Sequence, residues 1–296
     1  EYMASGKATE QEKLVAGCPE YAFNEYLQIG LEQGLVGLAL FIGWLGLLFY
    51  KGIKNKRYAC CGGLMSMAIF AFSSYPLQLP EFWVVLIFLG VMSVTPDKDE
   101  IRENQAESNG HRWGKQIFFM GIAILGIGLF WMQKDHYKAY QQWNKAQMFY
   151  NNKAYEAALE VYEPLYPLLK HKPEFLFEAA QSLSKTGQYE KANEYLERAV
   201  LLSSDPMLYY VMAKNEQCLG EYRQAEKHLL HAIDILPERI YPYYLLMNLY
   251  TEPSYFQPAK LKKAIDSVLT KKPKVESSAI KEMKEKARSM LNNTSI

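Results

Sequence analysis

Four side chains that can bind or activate a polar substrate recur at helical spacing near the start of the chain. They are Asn24, Glu25, Gln28 and Glu32. Steps of three and four residues place them on one face of a helix, and this polar stripe ends where Leu35 begins an apolar run. Such a stripe is either a structural neck that packs against other helices or the rim of a site for polar substrate. The neck is the commoner role, because most polar stripes are solvated faces.

The apolar run that follows indicates a membrane helix. Its fully apolar part, residues 35–50, is shorter than the roughly 20 residues that span a bilayer core. We therefore expect the helix to begin near Tyr26 and to carry the polar stripe into the interface. Gly30, Gly34 and Gly37 have small-xxx-small spacing, which predicts close approach of another helix.

Two blocks in this region resemble a known family. Residues 24–28 read NEYLQ, residues 32–38 read E-x-G-L-V-G-L, and residues 73–80 read SSYPLQLP. Together they resemble the conserved blocks of the O-antigen ligase and O-antigen polymerase family. The resemblance implies an enzyme of the bacterial inner membrane that transfers or polymerises lipid-linked glycans at the periplasmic face. Many members have His before the first Asn, whereas Phe23 stands here.

The resemblance also implies roles for individual residues. Glycan transfer needs a base for the acceptor hydroxyl, for which Glu25 and Glu32 are the candidates, and cations for the departing diphosphate. Asn24, Gln28 and Tyr75 are the candidate substrate-binding residues, and a polyprenyl-diphosphate-linked glycan is the implied substrate. Structural packing is the alternative role for either glutamate.

Other kinds of chemistry find no pattern in the sequence. G-x-S-x-G, P-loop, dinucleotide-binding and H-E-x-x-H motifs are absent, which argues against a soluble enzyme. The four cysteines lack paired spacing and the five histidines are scattered, so no metal site and no cofactor are predicted. Nothing in the sequence indicates a nucleic-acid partner.

The distribution of charge predicts a membrane half and a soluble half. Four apolar segments are expected, at residues 26–50, 58–75, 82–95 and 117–132. Eight Lys and Arg residues lie in the two loops on one side, and two lie on the other, so the eight-charge side is expected to be cytoplasmic. Residues 1–26 are then the end of a periplasmic loop, residues 27–132 form four transmembrane helices, and residues 133–296 are periplasmic. Because the chain starts within a polar stretch, we expect it to be part of a longer protein.

The soluble half is repetitive. AYEAALEVY (154–162), QYEKANEYL (188–196) and EYRQAEKHL (221–229) recur at steps of 34 and 33 residues. Gly187 and Gly220 precede the second and third segments at the expected inter-helix turns, and Ala192 and Ala225 occupy the helix crossings. The pattern resembles tetratricopeptide repeats, which stack helix pairs into a solenoid. A fourth pair is predicted at residues 240–269 and a polar capping helix at residues 277–292.

Aromatic residues are concentrated on the first helices of these pairs. They could stack on sugars or peptides, although in solenoids such residues more often fill the core. The set comprises Trp143, Phe175, Phe177, Tyr209, Tyr210, Tyr241, Tyr243 and Tyr244.

The predicted fold is therefore all-α, with polytopic membrane helices followed by a soluble tetratricopeptide α-solenoid. The leading functional hypothesis is the C-terminal part of a ligase- or polymerase-like protein. The alternative is a non-enzymatic membrane anchor that presents the repeats to a protein partner.

Overall fold

The computed structural model describes residues 22–95 and 133–293, together with residues 7–9, 11, 12, 17, 120, 121, 124, 128 and 131. Every regular element in these residues is helical, as predicted. The chain divides into two compact units. The apolar unit is Pro19–Leu129, and the repeat unit comprises Glu1–Cys18 and Phe130–Ile296.

In the apolar unit, three helices pack around a small leucine core. They are α1 (Glu25–Lys54), α2 (Tyr58–Ser73) and α3 (Pro80–Val94), and a 3₁₀ turn (Pro76–Gln78) joins α2 to α3. The buried core residues are Leu45, Leu48, Leu64 and Leu86.

The first helix begins at Glu25, close to the predicted start, but it is kinked at Gly34. This residue has φ 72° and ψ −179°, a conformation that only glycine adopts readily. No described helix packs against Gly30, Gly34 or Gly37, so the close approach predicted from their spacing stays a prediction. A Cβ at Gly34 would meet nothing within 4 Å, and at the other two it would meet only atoms of α1 itself.

Close helix approach occurs elsewhere in the unit. A Cβ on Gly52 would lie 2.6 Å from the sulfur of Cys61 in α2, and one on Gly90 of α3 would lie 3.2 Å from Leu48 of α1. Small residues at these crossings therefore let the three helices approach one another.

One described helix, α1, is long and apolar enough to cross a membrane by length and composition. Helices α2 and α3 are apolar but have only 16 and 15 residues. The second basic loop, between the third and fourth predicted segments, lies outside the described residues, and so does most of the fourth segment, residues 117–132. The arrangement of four membrane helices stays a prediction.

The repeat unit contains four helix pairs and a final helix within residues 133–293. The first helices of the pairs are α4 (Lys134–Asn151), α6 (Pro173–Lys185), α8 (Pro206–Cys218) and α10 (Ile240–Tyr250). The second helices are α5 (Tyr155–Leu169), α7 (Tyr189–Val200), α9 (Tyr222–Ile235) and α11 (Pro258–Thr270). Helix α12 (Ser278–Asn293) follows where the capping helix is predicted.

The turns inside the first three pairs share one hydrogen-bonded geometry. Gly187 and Gly220 have φ near 80°, and the next residue in each turn donates its N–H to a carbonyl five residues back. These are Schellman helix ends, which favour glycine because the residue is left-handed. Lys153 takes the same place in the first pair with φ 61°, and Ala154 N–H bonds to Phe149 O at 3.0 Å.

Small residues lie at the helix crossings, as the repeat pattern predicts. Ala192 and Ala225 are fully buried, and so are Ala199 and Ala232 seven residues later. Full burial leaves no room for a larger side chain, so the helices of a pair pack closely.

Candidate partner-binding site

The predicted polar stripe lies at the end of the apolar unit where α1 meets the turn after α2. Asn24 caps α1: its Oδ1 accepts the N–H of Leu27 at 3.0 Å, and its Nδ2 donates to Phe72 O at 2.8 Å. Glu25 is 3 % exposed, and its Oε2 accepts the backbone N–H of Leu77 at 3.2 Å. The two blocks that carry the family resemblance therefore touch each other.

The remaining stripe residues have different surroundings. Gln28 is buried, accepts the N–H of Ala22 at 2.8 Å and donates to Glu32, whose side chain is exposed. The Tyr75 ring packs edge-on against Phe23, with 5.5 Å between centroids. The stripe is not one solvated face, because Glu25 and Gln28 are buried and bonded to backbone. The catalytic and substrate-binding roles of these residues stay predictions.

In the repeat unit, the first helices of the pairs form one side, here called the A face. Side-chain hydrogen bonds bridge three neighbouring pairs of elements on it. Between α4 and α6, Trp143 Nε1 donates to Glu178 at 2.7 Å; between α8 and the turn after α10, Gln217 donates to Glu252 at 2.7 Å. Between α10 and α12, Lys286 donates to Asn248 at 3.0 Å.

Helices α6 and α8 instead border a cleft of about 420 Å³ on the A face. This is within the size range of sites that hold small ligands or side chains. Its lining mixes apolar and aromatic side chains with amides, hydroxyls, a thiol and two lysines. The lining residues are Gln181, Ser184, Lys185, Tyr189, Met207, Tyr210, Val211, Lys214, Asn215, Cys218 and Tyr241.

A row of lysines and tyrosines leads away from the cleft. Lys214 Nζ lies 5.2 Å from the Tyr241 ring centroid and donates to the hydroxyl at 2.6 Å. The Tyr241 ring stacks on Tyr244 at 6.5 Å, and Lys286 Nζ lies 5.3 Å from the Tyr244 ring. Contacts between cations and aromatic faces hold the two ammonium groups in place on the A face.

The aromatic residues of the first helices divide between core and surface. Phe175 and Tyr210 are buried, whereas the other six are half-buried. The preference for a core role is therefore correct for part of the set, and the surface part includes Tyr241 and Tyr244. Neither Lys185 nor Lys214 was expected at a site. The sequence did contain a signal for this site. The positions equivalent to Lys214 in the two preceding repeats are also polar, Gln147 and Gln181.

A polar pair replaces apolar core contacts inside the third repeat. Glu216, only 5 % exposed, lies 2.9 Å from Nδ1 of His228. The equivalent residues one repeat earlier are Leu183 and Tyr195, both buried. Burial of the carboxylate costs free energy that the bond to His228 offsets, so we expect the two residues to depend on each other.

A carboxylate network fixes the third and fourth pairs. Glu226 accepts bonds from the hydroxyls of Tyr250 and Tyr255 and from Lys260, each at 2.6 Å. Burial raises the pKa of Glu226, but the three hydrogen bonds to its carboxylate lower the pKa by more. The pKa of Glu226 therefore lies below its usual value. Burial and the Glu226 carboxylate raise the pKa of Tyr250, so Tyr250 remains a donor.

Known proteins resemble the repeat unit. The family model described as anaphase-promoting complex, cyclosome, subunit 3 matches residues 151–232. No curated protein matches the chain. Among solved structures, MamA from Desulfovibrio magneticus RS-1 (residues 41 to the end) has 19 % identity and a TM-score of 0.42, covering 54 % of this chain and 98 % of MamA.

Two further structures resemble the chain at similar identity. The nearly identical TPR-like repeats of a Podosopora anserina kinesin light chain have 17 % identity and a TM-score of 0.42, over 53 % of this chain and 88 % of that one. The Yersinia enterocolitica chaperone SycD, in complex with a peptide of the translocator YopD, has 17 % identity and a TM-score of 0.32. The match covers 51 % of this chain and 93 % of SycD.

At these TM-scores the superpositions are loose, and the assignment of the repeat unit rests on its own features. These are the 34- and 33-residue period, the paired helices, the left-handed turns, the buried alanines and the matching family model. Residues 134–293 form a tetratricopeptide-like repeat domain.

Proposed function

We propose that this protein is a membrane-anchored scaffold whose repeat domain binds a segment of a partner protein in the cleft between α6 and α8. The cleft is the observation that supports this function. It combines the apolar side chains of Met207 and Val211 with hydrogen-bonding groups such as Gln181 and Ser184. Such a lining buries one side chain of a peptide while bonding its backbone.

The apolar unit supports the anchoring role. Large apolar side chains cover its described surface, including Leu35 at 81 %, Val36 at 74 % and Val84 at 67 % exposure. An apolar surface of this extent marks a site of membrane or protein contact. The basic residues Lys51, Lys54, Lys56 and Arg57 between α1 and α2 favour a cytoplasmic position for that turn.

The location is proposed as the bacterial inner membrane, with the repeats in the periplasm. Reporter fusions at residue 109 should then be active only as cytoplasmic markers, and fusions after Gly187 only as periplasmic ones. The reverse pattern would contradict this location without affecting the partner site.

The partner site is tested by peptide display against the full chain in nanodiscs. We expect enriched peptides whose affinity falls at least about tenfold in Met207→Trp, since the larger side chain occupies the cleft. Met207 is 40 % exposed, and Leu230 of α9, at 46 %, is the matched control. Leu230→Trp should leave binding unchanged. Failure to enrich any peptide, or equal binding by the two variants, would contradict the proposed function.

Glycan transfer is the second candidate function. It is favoured by the contact between Glu25 and the turn at residues 76–78, since this brings the two family-like blocks together at one end of the apolar unit. In this function the substrate is a polyprenyl-diphosphate-linked glycan, and the exposed carboxylate of Glu32 is the candidate base.

Carboxylate removal separates the two candidates. If Glu32 acts as the base, Glu32→Gln in the intact cell should lower glycan transfer by about 10²- to 10⁴-fold at unchanged protein level. Glu25→Gln keeps shape but weakens the bond to Leu77, so its protein level should be compared as well. Full transfer by both variants would exclude a catalytic role for these glutamates.

A further inference from the structure

We propose that the partner segment bound by the A face is acidic, and that Lys185 and Lys214 bind its carboxylates on either side of an apolar anchor. This inference rests on the proposed function, because it names the chemistry of the segment that the cleft binds. Lys185 comes from α6 and Lys214 from α8, so these two first helices each supply one exposed cation to the cleft.

The cleft has a positive charge balance. Its lining contains these two lysines and no carboxylate. Two carboxylates close in sequence are held by other partners: Glu178 accepts from Trp143 and Gln147, and Glu216 is bonded to His228. The two lysines therefore attract an anionic ligand. Electrostatic attraction of this kind influences partner choice and association rate.

The aromatic contacts favour a peptide over an anionic sugar. A sugar needs an open aromatic face, but the Tyr241 ring is already covered. It contacts the Lys214 ammonium, the Tyr210 ring in a T-shaped arrangement with 5.2 Å between centroids, and the ring of Tyr244. Met207 and Val211 offer an apolar surface that suits a leucine-like side chain.

The row that ends at Lys286 predicts a second acidic contact. Lys214 lies on α8 and Lys286 on α12, which are two inter-helix steps apart on the A face. The contacts along the row, Lys214 to Tyr241 at 5.2 Å, Tyr241 to Tyr244 at 6.5 Å and Tyr244 to Lys286 at 5.3 Å, place the two ammonium groups at most about 17 Å apart. An extended peptide covers that distance in about five residues, at about 3.3–3.6 Å per residue.

The test uses short synthetic peptides blocked at both ends and the full chain in nanodiscs. The first, the spaced glutamate peptide, has two glutamates that flank a leucine, for Lys214 and Lys185, and a third glutamate about five residues further on, for Lys286. The second peptide has glutamine in place of all three glutamates. Binding is measured by fluorescence anisotropy in about 0.05 M and about 0.5 M salt, since salt screens exposed charges. An oligogalacturonate is the anionic sugar probe.

We expect the spaced glutamate peptide to bind at least about tenfold more tightly than the glutamine peptide at low salt, and this difference to shrink at high salt. Lys185→Gln and Lys214→Gln should each weaken its binding about 3- to 10-fold. Lys227→Gln, on the exposed side of α9, is the matched control and should have no effect.

Equal binding of the glutamate and glutamine peptides, or no loss in the two lysine variants, would overturn the acidic assignment. If Met207→Trp still abolishes binding of both peptides, the proposed function stands while this inference fails. Tight binding of the oligogalacturonate without the glutamate peptide would also overturn it, in favour of a glycan ligand.

Discussion

Replacement of Lys153 by glycine should stabilise the repeat domain. Lys153 is exposed and has φ 61° at the turn between α4 and α5, where the next two repeats have Gly187 and Gly220. A residue with a Cβ loses roughly 1–2 kcal/mol in the left-handed conformation, and glycine does not. The surrounding bonds from Lys153 and Ala154 to α4 carbonyls remain available to either residue.

The gain is partly offset in the unfolded chain. Glycine loses more conformational freedom on folding, which costs about 0.5–1 kcal/mol. The net stabilisation for Lys153→Gly is therefore about 0.5–1 kcal/mol. In a domain of this size, each kcal/mol of stabilisation raises the melting temperature by about 2–4 °C. Gly187→Ala should change stability by a similar amount in the opposite direction.

Hydrogen exchange of the full chain in detergent, read by mass spectrometry over α4 and α5, measures the local free energy of opening. Lys138→Gly is the matched control, because this exposed lysine lies within helical α4 and its replacement should destabilise by about 1 kcal/mol. A loss of protection in Lys153→Gly, or no difference between the two lysine variants, would refute the assignment of strain to this turn.

Three further predictions concern the packing of the repeats. Ala192→Leu should destabilise the domain by roughly 1–3 kcal/mol through overpacking. Glu194→Leu, at an exposed position of the same helix, is the control and should not destabilise it. Denaturant titration measures the unfolding free energy of both variants. His228→Leu should cost about 1–3 kcal/mol by leaving Glu216 buried without its partner, and the double replacement Glu216→Leu with His228→Tyr should recover most of that loss. Glu226 has a lowered pKa in the folded state, so its contribution to folding stability is present above its unfolded pKa and is lost as the pH falls through the folded pKa. Glu226→Gln should therefore flatten the acid side of a plot of unfolding free energy against pH. An unchanged plot would contradict the stabilising role of the Glu226 network.

The repeats could be predicted from sequence because their signals are local. Glycine before the second helix and alanine at the crossing each report on a few neighbouring residues, and the 33- to 34-residue period repeats them. Lys153 lacked this signal, since its left-handed conformation is imposed by the helix end and not by residue type. The cleft was also out of reach, because it depends on how far α6 and α8 separate once their neighbours have packed.

The apolar unit shows a different limit. Gly30, Gly34 and Gly37 have spacing that suits either close packing or a kink, and periodicity cannot distinguish these roles. The backbone angles in the structure show that the kink is at Gly34 and not at Gly30 or Gly37. Likewise, helical spacing placed Glu25 and Gln28 on one face correctly but could not show that the turn at residues 76–78 and the N-terminal approach to α1 bury both side chains.

Protection of Cys218 tests the central claim most directly, because this native thiol is exposed and lines the cleft. The rate of its alkylation in the full chain would be followed by mass spectrometry, with and without the tightest peptide from the display selection. The half-buried Cys60 and Cys61 of the apolar unit serve as internal controls. A partner segment seated between α6 and α8 should slow the reaction of Cys218 about tenfold at saturation while leaving the two controls unchanged. An unchanged rate at Cys218 with peptide fully bound would contradict the cleft as the partner-binding site.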